Sequence, residues 1–555
     1  MLLFRMFVVL AAFSVAAGDA SAASDLKYRV RKRLCQLNDT CDEGGTSSSS
    51  GGSSSGGSTA DTVAPIVSTF LPADGAVNVA IDVNLVITFS ENVQKGTGNI
   101  IIKKSSDNTV VETIPVSDAK VDIVDAVVTI NPEAALASGM GYYVTVDSGA
   151  FADMSDNAFA GISGSTAWNF VVAGVSTPQA LQGIPTVGAL DWEPFTVDGE
   201  TYLALASYYN GSSYNINSTL YRFVPTNPDS SKLVAIQSIP TNGAAGWEAF
   251  TVDGETYLVL ANYYNGSSYN INSMLYRFVP TNPDSSKLVA IQSIPTNGAS
   301  DWDAFTVGGE TYLVLANFLN NSSFNIDSKL YRFVPTNPDS GKLVAIQAIP
   351  TNGAQDWEAF AVGGETYLTV ANHYNESSYS INSTLYRFVP ANPDASKLVA
   401  IQAIPTNGAL SWEAFAVGGE TYLAVANIYD GSSYNINSTL YRFVPTNPDA
   451  SKLVAIQPVP TNGGVGSNAF TFGGETYLAI ADSYNGSSYN IDSGIYCFVP
   501  ANPDASKLVE IQAVPTNSAH DWESFAVDGE PYLVVANQYN GSSWSIDSRL
   551  YRFQP

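Results

Sequence analysis

Histidine and cysteine are nearly missing from this chain: two histidines, His373 and His520, and three cysteines stand among 555 residues. That scarcity removes most of the side chains used in nucleophilic catalysis, because a Ser-His-Asp or Cys-His site needs a histidine held by fixed partners. No His/Cys spacing matches a zinc site and no EF-hand loop is present. Positive charge is scarce too: 24 lysines and arginines against 51 acids leave a net charge of -27. Nucleic-acid affinity comes largely from Lys and Arg displacing counterions, so no nucleic acid is expected as partner. The acidity favours a soluble monomer. No segment beyond the N-terminus approaches the roughly 20 apolar residues of a spanning helix.

What is there begins at the N-terminus. Arg5, the apolar stretch Met6 to Ala17, and Ala20-Ser21-Ala22 form the pattern of a secretory signal peptide over residues 1–22. No membrane insertion is expected once it is removed, and the protein is expected to be secreted or at the cell surface. Residues 23–45 form a short head in which Cys35 and Cys41 are close enough to pair in an oxidising compartment. Residues 46–62 are a Ser/Gly-rich linker, almost entirely Ser and Gly from Thr46 to Ser58, a composition that makes a flexible tether.

Hydrophobic residues make up 45% of the chain, enough for real cores. Residues 63–173 carry short β-branched and aromatic runs, Val83 to Phe89, Ala126 to Ile130, Tyr142 to Val146 and Trp168 to Val172, with Pro72-Ala73-Asp74-Gly75 and Asn131-Pro132 between them. Strands of that length and spacing predict a β-sandwich. Ala64-Pro65, Pro72 to Gly75, Thr88-Phe89-Ser90-Glu91-Asn92-Val93, Asp153 to Asn157 and Trp168-Asn169-Phe170 resemble the bacterial Ig-like domains of the S-layer-protein type. The resemblance implies a spacer or adhesive unit without catalysis. It departs at Ser155-Asp156, where that family usually has glycine.

Residues 180–555 are a repeat array with a 55-residue period, marked by Trp192, Trp247, Trp302, Trp357, Trp412 and Trp522, with Ser467 at the interrupted position. In the second unit, Trp247 to Val252 and Glu255 to Ala261 flank Asp253-Gly254, a strong type I′ hairpin signal. Leu275 to Pro280 and Lys287 to Gln292 supply a third and fourth strand. The second and fourth strands are continuously apolar, which suits sheets covered on both faces. The predicted fold is therefore all-β: an Ig-like β-sandwich followed by a closed seven-bladed β-propeller. Closure is expected because Leu181 to Pro185 reads as a fourth strand, while Leu550 to Phe553 reads as a third strand lacking one. Ile349 to Phe360, Gly364 to Leu368, Ala371-Asn372 and Leu385 to Phe388 carry a run of motifs that resembles the EPTP, or epilepsy-associated, repeats. That resemblance implies a seven-bladed propeller binding protein partners outside cells. These units are longer than the family's between the third and fourth strands, so partner specificity does not carry over.

No residue is singled out as catalytic, and no cofactor is expected. The acids beside the tryptophans (Glu193, Glu248, Asp303, Glu358, Glu413, Glu523) repeat with the fold, which points to structure, whereas acid–base chemistry needs unlike environments. A ring of these acids, or of Asp191, Asp301, Asp356 and Asp521, offers a place for a structural cation. The recurrent arginines, from Arg222 to Arg552, are expected to pair with recurrent acids, and Cys497 takes the place of one of them. Candidate recognition residues are Tyr208, Tyr209, Tyr214, Tyr263, Tyr264 and Tyr269, in loops whose Tyr, Ser, Gly and Asn content is that of adaptable binding surfaces. Turn chemistry alone also favours those residues. Sequons for N-glycosylation begin at Asn38, Asn210, Asn217, Asn265, Asn321, Asn375, Asn382, Asn437, Asn485 and Asn540, and sugar there would cover the same loops. The expected function is non-catalytic recognition of an extracellular protein or glycan. A structural coat component is the alternative, and a glycoside-processing enzyme stands third.

Overall fold

The structure, a computed structural model, describes residues 61–554 other than 82, 134–135, 137–139, 173, 175–176, 227, 337, 501–503 and 505. The expected signal peptide, Cys35, Cys41, Asn38 and nearly all of the Ser/Gly stretch lie outside these residues. The chain divides into two compact units, residues 1–61 and 62–555, and every element below belongs to the second. The described residues form β-strands joined by turns and short 3-10 segments.

Residues 67–172 build the sandwich. One sheet holds β1 (Val67–Leu71), β3 (Leu85–Phe89), β8 (Val127–Ile130) and β7 (Val121–Val124); the other holds β2 (Ala76–Val79), β11 (Asn169–Val172), β9 (Gly141–Val146), β5 (Asn99–Lys104) and β6 (Val110–Pro115). Alternation puts Leu85, Ile87 and Phe89 inside from one sheet and Ile100 and Ile102 from the other. Trp168 is fully buried, stacks 4.5 Å from Phe70, and donates its indole N–H to the Pro72 carbonyl at 2.8 Å. At the turn where glycine was expected, Asp156 itself adopts a positive φ of 66°. The buried Asp153 carboxylate holds that turn by accepting the Ser155 and Asn157 backbone N–H groups at 2.8 and 2.7 Å.

The repeats give seven four-stranded antiparallel sheets. In the second repeat the strands run Ala244–Val252, Glu255–Asn262, Asn270–Val279 and Lys287–Asn297. Asp253 and Gly254 both take positive φ, 53° and 81°, as a type I′ hairpin requires. The third and fourth strands are longer than the apolar runs predict. Polar residues extend them: Ser273, fully buried, bonds Thr296 at 3.1 Å and receives the Asn262 N–H at 3.2 Å. The seventh sheet is composite. Thr177–Val187 pairs with Ser545–Gln554, with Ile184 opposite Ser548, and Ala519–Val527 stands at the sheet's other edge.

Successive sheets are stitched in a repeating way. Each recurrent arginine bridges a glutamate on its own second strand and an aspartate in the next repeat's turn, as Arg277 does with Glu255 at 2.8 Å and Asp339 at 3.0 Å. Arg552 of the seventh repeat reaches Asp229 of the first at 2.9 Å. A glutamine on each fourth strand clasps the next fourth strand, Gln237 with both backbone groups of Leu288 at 2.7 and 2.9 Å. The sixth-to-seventh boundary lacks both stitches. The seventh repeat's fourth strand arrives from the sandwich, so no turn aspartate faces position 497, and that position is the buried Cys497. Pro178 occupies the place of Leu233 and has no N–H, which leaves the buried Gln512 Oε1 without a partner. In place of these stitches, Phe472 meets Phe553 at 6.0 Å and Val499 is buried. Replacing Pro178 with leucine restores a donor, so Pro178→Leu is expected to raise unfolding stability by about 1 kcal/mol. Urea denaturation checks it; an unchanged midpoint would refute the assignment.

Candidate functional site

The first strands of all seven repeats line one cavity of about 450 Å³. They stand there because each first strand is bound to its neighbour through the recurrent acids. Glu193 Oε1 accepts the Ala249 N–H at 3.0 Å, Glu248 that of Ala304 at 3.0 Å, and Glu358 that of Ala414 at 3.0 Å. One residue earlier than each tryptophan, Asp191 accepts the Trp247 N–H at 2.8 Å and Asp521 that of Trp192 at 3.3 Å. The acids therefore carry the structural duty expected of them.

The same geometry crowds negative charge. Ten carboxylates line the cavity, Asp191, Glu193, Glu248, Asp301, Asp303, Asp356, Glu358, Glu413, Asp521 and Glu523, and no lysine or arginine does. Burial is the first cause that raises every one of them. Glu193 and Glu413 are pushed up to about 8, Asp303 and Asp521 to about 7. Asp301 and Asp356 share a hydrogen bond and both lie well above the carboxylate range. Asp303 Oδ2 is buried with no hydrogen-bond partner. The structure thus brings together, in one cavity, the four aspartates and the six tryptophan-flanking acids named from sequence. No three of these acids place an oxygen each within 4.8 Å of one another. A cation held here would be gripped by two carboxylates and completed by water.

His373 and His520 also line this cavity, and burial lowers each to about 4. Both are neutral near pH 7, and His520 Nδ1 bonds the Leu190 carbonyl at 3.1 Å. His373 sits among aromatic rings, 5.9 Å from Phe318 and 5.1 Å from Tyr379.

The loops between second and third strands share one construction. Asn210 Oδ1 accepts the N–H groups of Ser212 and Ser213 at 2.9 and 2.8 Å, together with the Ser212 hydroxyl at 2.9 Å. Asn265, Asn375, Asn485 and Asn540 do the same, as does Asp430. In the third repeat Asn320, rather than the Asn321 that the sequon pattern picks out, heads the turn. Asn321 instead accepts the Tyr269 N–H of the preceding loop at 2.7 Å. Asn217, Asn382 and Asn437 lie exposed on third strands.

Aromatic rings link loop to loop. Tyr209 meets Trp544 at 5.2 Å, Tyr214 meets Tyr264 at 4.9 Å, and Tyr379 meets Tyr429 at 5.0 Å. Tyr208 and Tyr263 turn inward to line the acidic cavity, while Tyr269 packs 4.4 Å from Tyr264. The rings singled out from sequence are thus half-buried and spent partly on one another, and the polar tips between them face solvent.

Comparison with known proteins fits this architecture. A family model described as "Bacterial Ig-like domain" matches residues 61–172. One described as "EPTP domain" matches six segments: 179–223, 232–278, 287–334, 342–388, 397–443 and 507–554. The first three strands of the sixth repeat, which carry Ser467 and Cys497, fall outside those segments. The chain is 37% identical over 325 residues to a mouse "Thrombospondin-type laminin G domain and EAR repeat-containing protein", covering 57% of this chain and 45% of that one. It is 23% identical over 305 residues to "Leucine-rich repeat LGI family member 3" of Macaca fascicularis, covering 55% and 47%. It therefore spans less than half the length of these relatives. Among solved structures, an ancestral GH74 enzyme matches with a TM-score of 0.41 at 9% identity, over 86% of this chain and 64% of that one. A likeness that distant says nothing about chemistry. The EPTP segments cover just over half of the residues, and the chain belongs to the EPTP-domain family, with a bacterial Ig-like domain ahead of the repeats.

Proposed function

We propose that this chain is an extracellular, non-catalytic recognition protein in which the seven sheets close into a β-propeller and the sandwich serves as spacer. Closure is supported by contacts between the first and seventh repeats: Asp521 with the Trp192 N–H, Phe223 with Phe525 at 5.1 Å, and Arg552 with Asp229. The observation that carries the binding reading is the set of seven Asx-headed loops, alike in geometry and braced by rings, which present serine and asparagine side chains to solvent. Rigid aromatic support with short polar tips is a recognition surface of low ordering cost. Repetition suits a repetitive partner, since linked weak contacts gain through avidity. Against catalysis stand two half-buried, neutral histidines and acids used alike in successive repeats.

The test is a binding screen of the full chain against immobilised extracellular proteins and glycans. Micromolar or tighter binding to a repetitive ligand is expected. Binding should weaken about tenfold or more when the loop serines of three neighbouring repeats become alanine. Silence across the panel at micromolar concentration would reject the reading.

A further inference from the structure

The sixth repeat departs from its siblings at four positions, three of which line one space. Ser467 stands where six repeats have tryptophan, and Asp482 where five have asparagine and one has Ser207. Gly494 takes the place of Thr219, Met274, Lys329, Thr384, Thr439 and Arg549, and Glu510 replaces alanine in every sibling, Ala455 among them. Asp482, Gly494 and Glu510 line a cavity of about 420 Å³ at the boundary of the fifth and sixth repeats, together with Asn437, Asp492 and Tyr496.

The packing explains how the space opens. Elsewhere the third-strand tyrosine rests on its own repeat's tryptophan, as Tyr441 does on Trp412 at 5.5 Å. Tyr496 has no such ring beside it. It leans over Gly494, so that a Cβ there would stand 2.5 Å from the ring, and its hydroxyl reaches the Pro460 carbonyl at 3.4 Å.

Asp482 forms the floor and is 6% exposed. In the sibling repeats the asparagine at this place donates its amide to a third-strand carbonyl, Asn427 to Asn437 at 3.0 Å and Asn537 to Asp547 at 2.9 Å. A carboxylate has no hydrogen to give, and Asp482 Oδ1 is buried without a partner. Burial, then the charge of Glu510, pushes Asp482 up to about 7. Glu510 and Asp492 stand exposed at the rim. The site therefore offers acceptors and negative charge from floor to mouth.

We infer that this cavity binds an organic cation through its N–H groups, an ammonium or guanidinium whose hydrogens meet Asp482 Oδ1 while Glu510 and Asp492 balance its charge. A bare metal ion fits poorly, because these three carboxylates do not converge to within 4.8 Å. The volume is that of a small-molecule site. The same chemistry comes from a free amine or from a lysine or arginine side chain of a peptide.

The experiment is calorimetric titration of the full chain with agmatine, with acetyl-arginine-amide and with calcium chloride. The comparison is the double variant Asp482→Asn, Glu510→Ala, which restores residues the sibling repeats already carry and so preserves the fold. Binding of either organic probe with a Kd below about 1 mM, weakened at least about tenfold in the variant, is expected. Preference for agmatine points to a free amine, and preference for acetyl-arginine-amide to a peptide side chain; both support the assignment. No binding up to about 10 mM overturns it. So does equal binding by the variant, or displacement of the probes by stoichiometric calcium.

Discussion

Raising the pH from about 5 to about 8.5 in the absence of divalent cations is expected to lower the thermal midpoint by roughly 10 °C. Burial lifts the cavity carboxyls above their unfolded values, so the folded chain holds protons that the unfolded chain has released. The stabilisation is full below the unfolded pKa of about 4. It is lost as pH climbs through about 7 for Asp303 and Asp521 and about 8 for Glu193 and Glu413. At the alkaline end these neighbours repel in a space without lysine or arginine. Two controls isolate the cavity from the general repulsion of an acidic chain. Asp301→Asn should flatten the profile and raise the midpoint at the alkaline end, because it removes one member of the Asp301–Asp356 pair. Calcium at millimolar levels should recover part of the loss, since two carboxylates and water suffice to hold it weakly. A profile that is flat in wild type would sink the account.

The second large effect concerns the composite sheet. A chain that begins at Gly188 lacks Thr177–Val187 and is expected to lose cooperative unfolding and to aggregate during gel filtration. The missing strand pairs along Ser545–Gln554, and its Ile184 lies in one apolar cluster with Trp192, Tyr221 and Val534. Its removal uncovers a long edge on Ser545–Gln554 and breaks the Gln182 clasp on Leu233 at 2.8 and 3.2 Å. An exposed edge of this length recruits other strands. Adding the peptide Thr177–Val187 in trans should restore a monomer. Retention of a sharp transition by the truncated chain would show that the other six sheets stand without this strand.

Much of this was legible because the repeats report the same physics seven times. The Asp-Gly and Gly-Gly pairs fixed the hairpins, as φ values of 52° and 81° at Asp198 and Gly199 and of 61° and 84° at Gly308 and Gly309 bear out. The two split fragments at the ends of the array do share a sheet. Strand ends were less legible. Asn270 to Ser273 reads as loop by composition but is strand, because its polarity is absorbed by the Ser273–Thr296 bond. The acidic cavity was partly visible: a ring of the periodic acids was expected, but their burial and their bonds to neighbouring backbone N–H groups follow only from first strands packing side by side. The sixth-repeat cavity was hidden for a different reason. Ser467 and Cys497 were noticed as lapses in a pattern, and their meaning depends on neighbours, Tyr496 in one case and the absent turn aspartate in the other.

The pairing of Thr177 with Gln554 also decides how the molecule answers a pull. Tension transmitted through the segment ahead of Thr177, with the repeats gripped by a ligand, falls on one end of an antiparallel ladder. Its bonds then break one after another rather than together, as a zipper opens. The first sheet to part is the one that joins the array's two ends, so mechanical release would start there and spread to the sheets on either side.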